Sequence, residues 1–353
     1  MRVAHVIWSL KAGGSETMLV DIANEQARSN DVAVLIGNID IDEVVLQSLS
    51  DRVAVELIGR PPASRNPWYI VKAIRALLSF KPDIVHAHQE SFIKFLRPLS
   101  FHKVITVHDT NQRLKDVQRY DAVFSISEAV RHDILAKQTG VHSTVIPNGI
   151  CFSAVKAKTS YGQLPFRIVQ VGRLDHRIKG QDILLRALQP VSQLFGGRNV
   201  LIDFIGEGPS RAYLVALATE LGLAGQCRFL GGRSRKTIYE QLHAYDLLVQ
   251  PSRYEGFGLT VVEAMAARVP VLVSNIQGPM EIIENGQHGY YFIAEDHLDC
   301  SKQISRIVED SQTEGFAEAL YTHYQYARSR FDIADTARLY LEAYKRVAAR
   351  CLE

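Results

Sequence analysis

The stretch from Tyr245 to Ser274 constrains the fold more than any other, because its hydrophobic period changes three times. Residues 245–251 (YDLLVQP) read as a buried strand running into a loop. Residues 252–258 (SRYEGFG) are loop, and Leu259, Val262 and Ala266 then recur on one side of a helix. An apolar strand follows over 269–274. Strand, glycine loop, helix and strand in that order commit the chain to an α/β architecture with parallel strands. Glu255 falls on the loop and Glu263 in the second turn of the helix. The backbone N–H groups of Gly258 to Thr260 face whatever lies beside them with positive dipole, which is a place for an anion. Two carboxylates next to such a place accept hydrogen bonds from sugar hydroxyls. A phosphate held beside sugars describes a nucleotide sugar.

The segment EGFGLTVVEAMA, with seven residues between its glutamates, resembles the signature of the retaining glycosyltransferases of the GT-B fold, the family 4 group. The resemblance extends through GGSETMLVDIA (13–23), PDIVHAH (82–88), VITVHD (104–109), VIPNGI (145–150), VGRLDHRIKGQDILLRAL (171–188), FIGEGP (204–209) and EIIENGQHGYYF (281–292), in the family's order. It implies two Rossmann-like, doubly wound parallel-sheet domains facing across a cleft. Residues 1–155 are expected to bind acceptor, with a C-terminal helix at 333–353 packing back on them. Residues 165–330 are expected to bind the nucleotide sugar.

Composition agrees with this size of protein. The 353 residues are 47% hydrophobic and 22% charged, which suits two globular domains. A net charge of +2 gives no case for nucleic acid. Cys151, Cys227, Cys300 and Cys351 are scattered, which points to reduced thiols in a cytoplasmic protein. Residues 1–10 form a short strand pattern leading into Lys11, not a signal peptide. No apolar run reaches the length of a membrane span.

In the first half, a strand over 3–8 turns at Gly13 and Gly14 into a helix over 15–26, with Met18, Leu19, Ile22 and Ala23 toward the sheet. Strands follow at 32–36 and 53–57. Residues 67–80 read as an amphipathic helix with Trp68, Ile70, Val71, Ile74, Leu77 and Leu78 on one side and Lys72 and Arg75 on the other. Residues 92–97 (FIKFLR) are a second apolar and basic segment. From 60 to 107 eight lysines and arginines (Arg60, Arg65, Lys72, Arg75, Lys81, Lys94, Arg97, Lys103) meet only Asp83 and Glu90. Two readings stand here: a packed helix with a solvated basic face, or peripheral contact with anionic lipid on the cytoplasmic face of the membrane. His86 and His88 alternate on the strand 83–87 and share a face, but no third ligand accompanies them, so no metal site is expected. The strand 104–107 delivers His108 and Asp109 at its carboxyl end, where ligands of open α/β sheets collect. The resemblance places His108 against the donor sugar. Residues 122–127 are the next strand, and Glu128 opens a helix.

Residues 151–164 are polar and aperiodic, as in an interdomain linker. The strand 166–171 runs into Gly172 and Arg173, then Lys179 and Gly180 before a helix over 182–188. Two cations on a loop at a strand's carboxyl end can neutralise a diphosphate leaving group, arginine by its fork and lysine as a point charge. This pair matches the family's phosphate-binding pair. Gly206 and Glu207 follow the strand 200–205 as a turn near the nucleotide. The chain's Gly278-Pro279-Met280 departs from the two adjacent glycines many relatives carry there, so that loop receives no assigned contact.

The resemblance implies Arg173, Lys179, Glu255 and His108 as the catalytic set. It implies Gly13, Gly14, Gly172, Arg173, Lys179, Gly206, Glu207, Glu255, Gly256, Phe257, Gly258, Leu259, Thr260 and Glu263 as the donor-binding set. Glu263 would hold the ribose and Glu255 the transferred sugar, with no metal and no cofactor. The donor would be a UDP-sugar in preference to a GDP-sugar, and the acceptor a glycan or lipid-linked acceptor. Rival readings are a nucleotide-sugar 2-epimerase on the same fold, or a non-catalytic accessory subunit.

Overall fold

The computed structural model describes residues 1–11, 13–96, 98–110, 112, 114–194 and 200–349; Arg97 and Cys351 lie outside them. The chain divides into two compact units, Met1–Ile150 with Phe331–Glu353, and Cys151–Arg330.

The first unit is built on a parallel sheet of seven strands: β1 (Arg2–Ile7), β2 (Asp31–Asn38), β3 (Val53–Arg60), β4 (Ile84–Ala87), β5 (His102–Val107), β6 (Ala122–Ser125) and β7 (Ser143–Val145). Their spatial order is β3-β2-β1-β4-β5-β6-β7. The order reverses between β1 and β4, which opens a crevice at the carboxyl ends of these two strands. β1 and β4 pair in register with His5 opposite His86. The helix Gly14–Gln26 starts at Gly13 and buries Met18, Leu19, Ile22 and Ala23, the side its spacing selects. The helix Ile333–Ala349 belongs to this unit. Ile150 bridges to Asp332, and Tyr340 and Tyr344 are fully buried.

The second unit holds β8 (Phe166–Val171), β9 (Val200–Ile205), β10 (Cys227–Phe229), β11 (Leu247–Gln250), β12 (Val271–Ser274) and β13 (Tyr290–Phe292). All are parallel in the order β10-β9-β8-β11-β12-β13, with the reversal between β8 and β11. Its core packs Phe166, Ile168, Leu184, Leu188, Phe204, Leu214, Leu272 and Ile304 between sheet and helices. Each such side chain contributes about 1.5–3 kcal/mol by leaving water.

Several expectations need correction. The helix Trp68–Phe80 rests on β2 and β3 but buries only Ala73 and Leu77; Trp68, Ile70, Val71 and Leu78 are exposed, so only part of its apolar side is packed on the sheet. The reverse holds for 92–96. Phe92, Ile93, Phe95 and Leu96 are buried because Phe92 stacks on Trp8 at 4.3 Å between centroids, so this segment is core, not surface. Residues 151–164 begin at the division between the units and are tied to the second. Lys158 is buried and paired with Asp246 at 2.9 Å, and its N–H donates to Ala267. A helix at Phe316–Phe331 went unread.

Candidate functional site

In the second unit the site grows from the loop that leaves β8. Gly172 N–H donates to Ile205 O, Gly206 N–H to Gly231 O, and Leu174 N–H to Glu207 O, all at 2.9 Å. Three strand-end loops are thus bound backbone to backbone. Gly206 has φ +148°, and a Cβ there would stand 2.0 Å from Gly172 O, so only glycine allows this approach. Arg173 hangs its side chain outward, exposed, while its carbonyl accepts from Gln181 at 2.9 Å.

The same loop then meets the loop that leaves β11. Gly180 has φ +64°, and a Cβ would lie 1.8 Å from Pro251 O. The N–H groups of Arg253 and Tyr254 donate to Ile178 O at 2.8 and 3.2 Å. This contact brings Lys179 Nζ to 2.7 Å from Glu255 Oε2. Gln250, the last residue of β11, donates to the same oxygen at 2.6 Å. Arg253 holds the junction from behind. It pairs with Asp182 at 2.7 Å and with Glu295 at 2.6 Å, and these hydrogen-bonded carboxylates raise its pKa. Glu263 sits in the helix Leu259–Ala266, which Gly258 caps with no side-chain bond. Its buried carboxylate lies 3.7 Å from Arg235 Nε. No side chain caps the start of that helix, and first-turn N–H groups are the ones a helix leaves for an outside acceptor.

The structure thus gathers Gly172, Arg173, Lys179, Gly206, Glu207, Glu255, Gly256, Phe257, Gly258, Leu259, Thr260 and Glu263 on loops and one helix at the carboxyl ends of β8, β9 and β11. Gly13, Gly14 and His108 belong to the first unit, after β1 and β5. Gln250 and Arg253 were missed. Each is a polar side chain at or just past the end of a buried strand, which is the signal that could have singled them out.

In the first unit, His108 does not stand alone. Its Nε2 lies 2.9 Å from His88 Nδ1, His88 Nε2 lies 3.1 Å from His5 Nδ1, and His5 Nε2 lies 3.0 Å from Gln26 Oε1. His86 is held separately, by Thr106 Oγ1 at 2.7 Å and the Tyr344 hydroxyl at 2.6 Å. Burial, by penalising the charged ring, lowers the pKa of His5 and of His108 to about 4, and lowers His86 and His88 well below the ordinary range. The third histidine that the sequence reading did not find beside His86 and His88 is His5. Nitrogens of these three rings lie within 4.8 Å of one another. Both nitrogens of every one of the three are already engaged in hydrogen bonds, so the group reads as a hydrogen-bonded cluster.

Comparison with known proteins places this architecture. The family Glycosyltransferase Family 4 matches residues 12–153, and Glycosyl transferases group 1 matches 156–323. The glycogen synthase of Mycobacterium tuberculosis H37Rv is 28% identical over 261 residues, which are 66% of this chain and 61% of that protein. An uncharacterized glycosyltransferase of Methanocaldococcus jannaschii is 34% identical over 143 residues, 40% of this chain and 36% of it. The chain therefore spans between about a third and three-fifths of these relatives. Among solved structures, Anabaena HepE in complex with UDP-glucose superposes with a TM-score of 0.81 at 21% identity, covering 98% of this chain and all of that one. A glycosyltransferase from Rickettsia africae superposes with a TM-score of 0.80 at 16% identity, covering 98% of each chain. Two matching families that between them take up most of the sequence, on two parallel-sheet units, show that the chain belongs to the group 1, family 4 type of GT-B glycosyltransferases.

Proposed function

We propose that the chain transfers a hexose or N-acetylhexosamine, with retention at the anomeric carbon, from a nucleotide diphosphate sugar to a glycan or lipid-linked acceptor in surface polysaccharide or glycolipid synthesis. The observation that carries the reading is the Lys179–Glu255 pair at 2.7 Å, set beside the start of the helix that bears Glu263. In this reading the pair is a resting state. The donor's diphosphate draws Lys179 away, and Glu255, still held by Gln250, turns to the hydroxyls of the transferred sugar. Glu263 takes the ribose. Exposed Arg173, Lys179 and the N–H groups of Gly258 to Thr260 stabilise the charge that grows on the departing phosphate, and removing one such donor typically costs about 3 kcal/mol. Positive side chains then fill the place a divalent ion would have, so the reaction is metal-independent. Gly13, Gly14 and His108, at the carboxyl ends of β1 and β5, are the first unit's residues assigned to sugar binding by the family resemblance. A UDP-sugar is favoured, because HepE has been solved with UDP and with UDP-glucose.

Lys179→Ala and Glu263→Ala, assayed for donor hydrolysis and for transfer, test this reading. Each is expected to lower transfer by about 10²–10³-fold, and unchanged transfer in both removes the assignment. A screen of UDP- and GDP-sugars by thermal stabilisation identifies the base, since a ligand specific for the folded state raises stability by mass action. Stabilisation without turnover would instead favour an accessory subunit.

Peripheral membrane contact is part of the same reading, now confined to the helix Trp68–Phe80. No helix among the described residues is long and apolar enough to span a membrane. This one leaves Trp68 54% and Leu78 50% exposed, with Arg75 stacked on Trp68 at 5.5 Å. Aromatic, aliphatic and cationic groups together suit an anionic interface. Trp68→Ala is expected to weaken co-flotation with phosphatidylglycerol vesicles while leaving transfer to a water-soluble acceptor intact. Undiminished flotation counts against the contact.

A further inference from the structure

We propose that Gln26, His5 and His88 are positioning residues that fix His108 as a neutral imidazole with Nε2 protonated and Nδ1 bare, so that Nδ1 is held as a hydrogen-bond acceptor for a sugar hydroxyl. The assignment of a hydroxyl to His108 rests on the transferase reading; the tautomer does not.

The direction of the chain follows from its inner end. A carbonyl oxygen can only accept, so Gln26 Oε1, 3.0 Å from His5 Nε2, requires a proton on that nitrogen. A neutral imidazole carries one N–H, so His5 Nδ1 must accept. The atom 3.1 Å away, His88 Nε2, is then the donor, and His88 Nδ1 is left to accept. His108 Nε2, 2.9 Å from it, therefore donates, and the last lone pair emerges on His108 Nδ1. That atom is buried and has no hydrogen-bond partner among the described residues. A buried acceptor without a partner is costly and is retained where a ligand supplies the donor.

The rest of the surroundings agree with a chain of neutral rings. β1, β4 and β5 are neighbours, so His5, His88 and His108 come from three adjacent strands or their carboxyl ends. Gln26 comes from the end of the first helix and also meets the Tyr344 side chain, and Tyr344, Tyr340 and Thr106 surround His86. None of these named neighbours is a carboxylate that would hold an imidazolium. Burial favours the uncharged form of every member. Hydrogen-bonded imidazoles in series pass on a choice of tautomer, because each ring's donor end sets its acceptor end.

The test is long-range ¹H–¹⁵N correlation NMR on protein labelled at histidine nitrogens, with His108 assigned by His108→Gln. Wild type at neutral pH is expected to show His108 with Nδ1 in the unprotonated range and Nε2 protonated. In His5→Leu the His88 Nε2–H loses its acceptor. His88 is then free to invert, and His108 is expected to shift toward the Nδ1–H form, with transfer reduced about tenfold, the scale of one hydrogen bond to substrate. His5→Asn puts an accepting oxygen where Nδ1 stood and is expected to restore both the spectrum and transfer. A protonated His108 Nδ1 in the wild-type spectrum overturns the relay, even if no variant folds. A folded His5→Leu with an unchanged His108 tautomer overturns it too, as does capture of one equivalent of zinc by His5, His86 and His88 of the wild type. If the tautomers are as stated and no nucleotide sugar is turned over, the transferase reading fails and the relay stands.

Discussion

The two units are built on the same sheet plan, yet they spend their polar side chains differently. In the first, the strand ends at the topological reversal carry uncharged imidazoles linked to one another and to an amide, a threonine and two tyrosines. In the second, the equivalent strand ends carry full charges in pairs, Lys179 with Glu255 and Arg253 with Asp182 and Glu295. A buried charge is tolerated only when paired, whereas a buried imidazole can stay neutral and still both donate and accept. The second unit's arrangement can exchange a partner for an incoming anion. The first unit's arrangement cannot, and suits a ligand without charge.

The sharpest way to break this contrast is at the junction of the charged site. Gly180→Ala forces a side chain into a left-handed backbone position and against Pro251 O, 1.8 Å from the new Cβ. The left-handed conformation costs about 1–2 kcal/mol, and separating the two loops raises the total to about 2–4 kcal/mol. Because Lys179 and Glu255 ride on the two loops, donor turnover should vanish while the first unit keeps its hydrogen-exchange protection. Loss of protection at β1 and β4 to the same extent would mean that the units do not act independently.

That junction also marks where sequence reading stops. The order of strands and helices was legible because parallel strands buried on both faces read as apolar runs, and because glycines and Asp182 fall at predictable ends. The pairing of loops was not. Nothing in the spacing of Arg253 and Asp182 says that they meet, since they lie 71 positions apart and only the β8–β11 adjacency joins them. His5 was hidden for a related reason. It sits inside a buried strand, and its alternation reveals a face but not the register that sets it opposite His86. The apolar residues of the helix Trp68–Phe80 misled because periodicity shows that a stripe exists, not what covers it.

Acid distinguishes the units next. A histidine whose folded pKa lies below its unfolded value of about 6.5 takes up its proton only on unfolding. The unfolded chain therefore binds more protons within that window, and stability rises with pH across it. For His5 and His108 the contribution is complete above about pH 6.5 and is lost as pH falls toward about 4. His86 and His88 act in the same direction from burial. The limiting slope is about 1.4 kcal/mol per pH unit for each ring. In the second unit His323 is lowered to about 4 and His243 is lowered, so its loss should be smaller. Hydrogen exchange at pH 7.5 and 5.5, corrected for intrinsic rates, should show peptides of β1 and β4 losing more protection than peptides of β8 and β11. Equal losses would refute the contrast.

The smallest effect probes the closing side of the neutral cluster. The Tyr344 hydroxyl lies 2.6 Å from His86 Nδ1, and Thr106 Oγ1 lies 2.7 Å from His86 Nε2. Tyr344→Phe keeps the ring and its packing but leaves a buried nitrogen without its partner, a cost of about 1–3 kcal/mol. His86 is not a link in the chain that ends at His108, and Gln26, which Tyr344 also meets, keeps its own contact with His5, so donor turnover should stay near the wild-type rate while the melting temperature falls. If turnover dropped along with stability, the two branches of the cluster would be coupled. The last helix would then have to be counted among the elements that set the tautomer of His108, and not only among those that cover it.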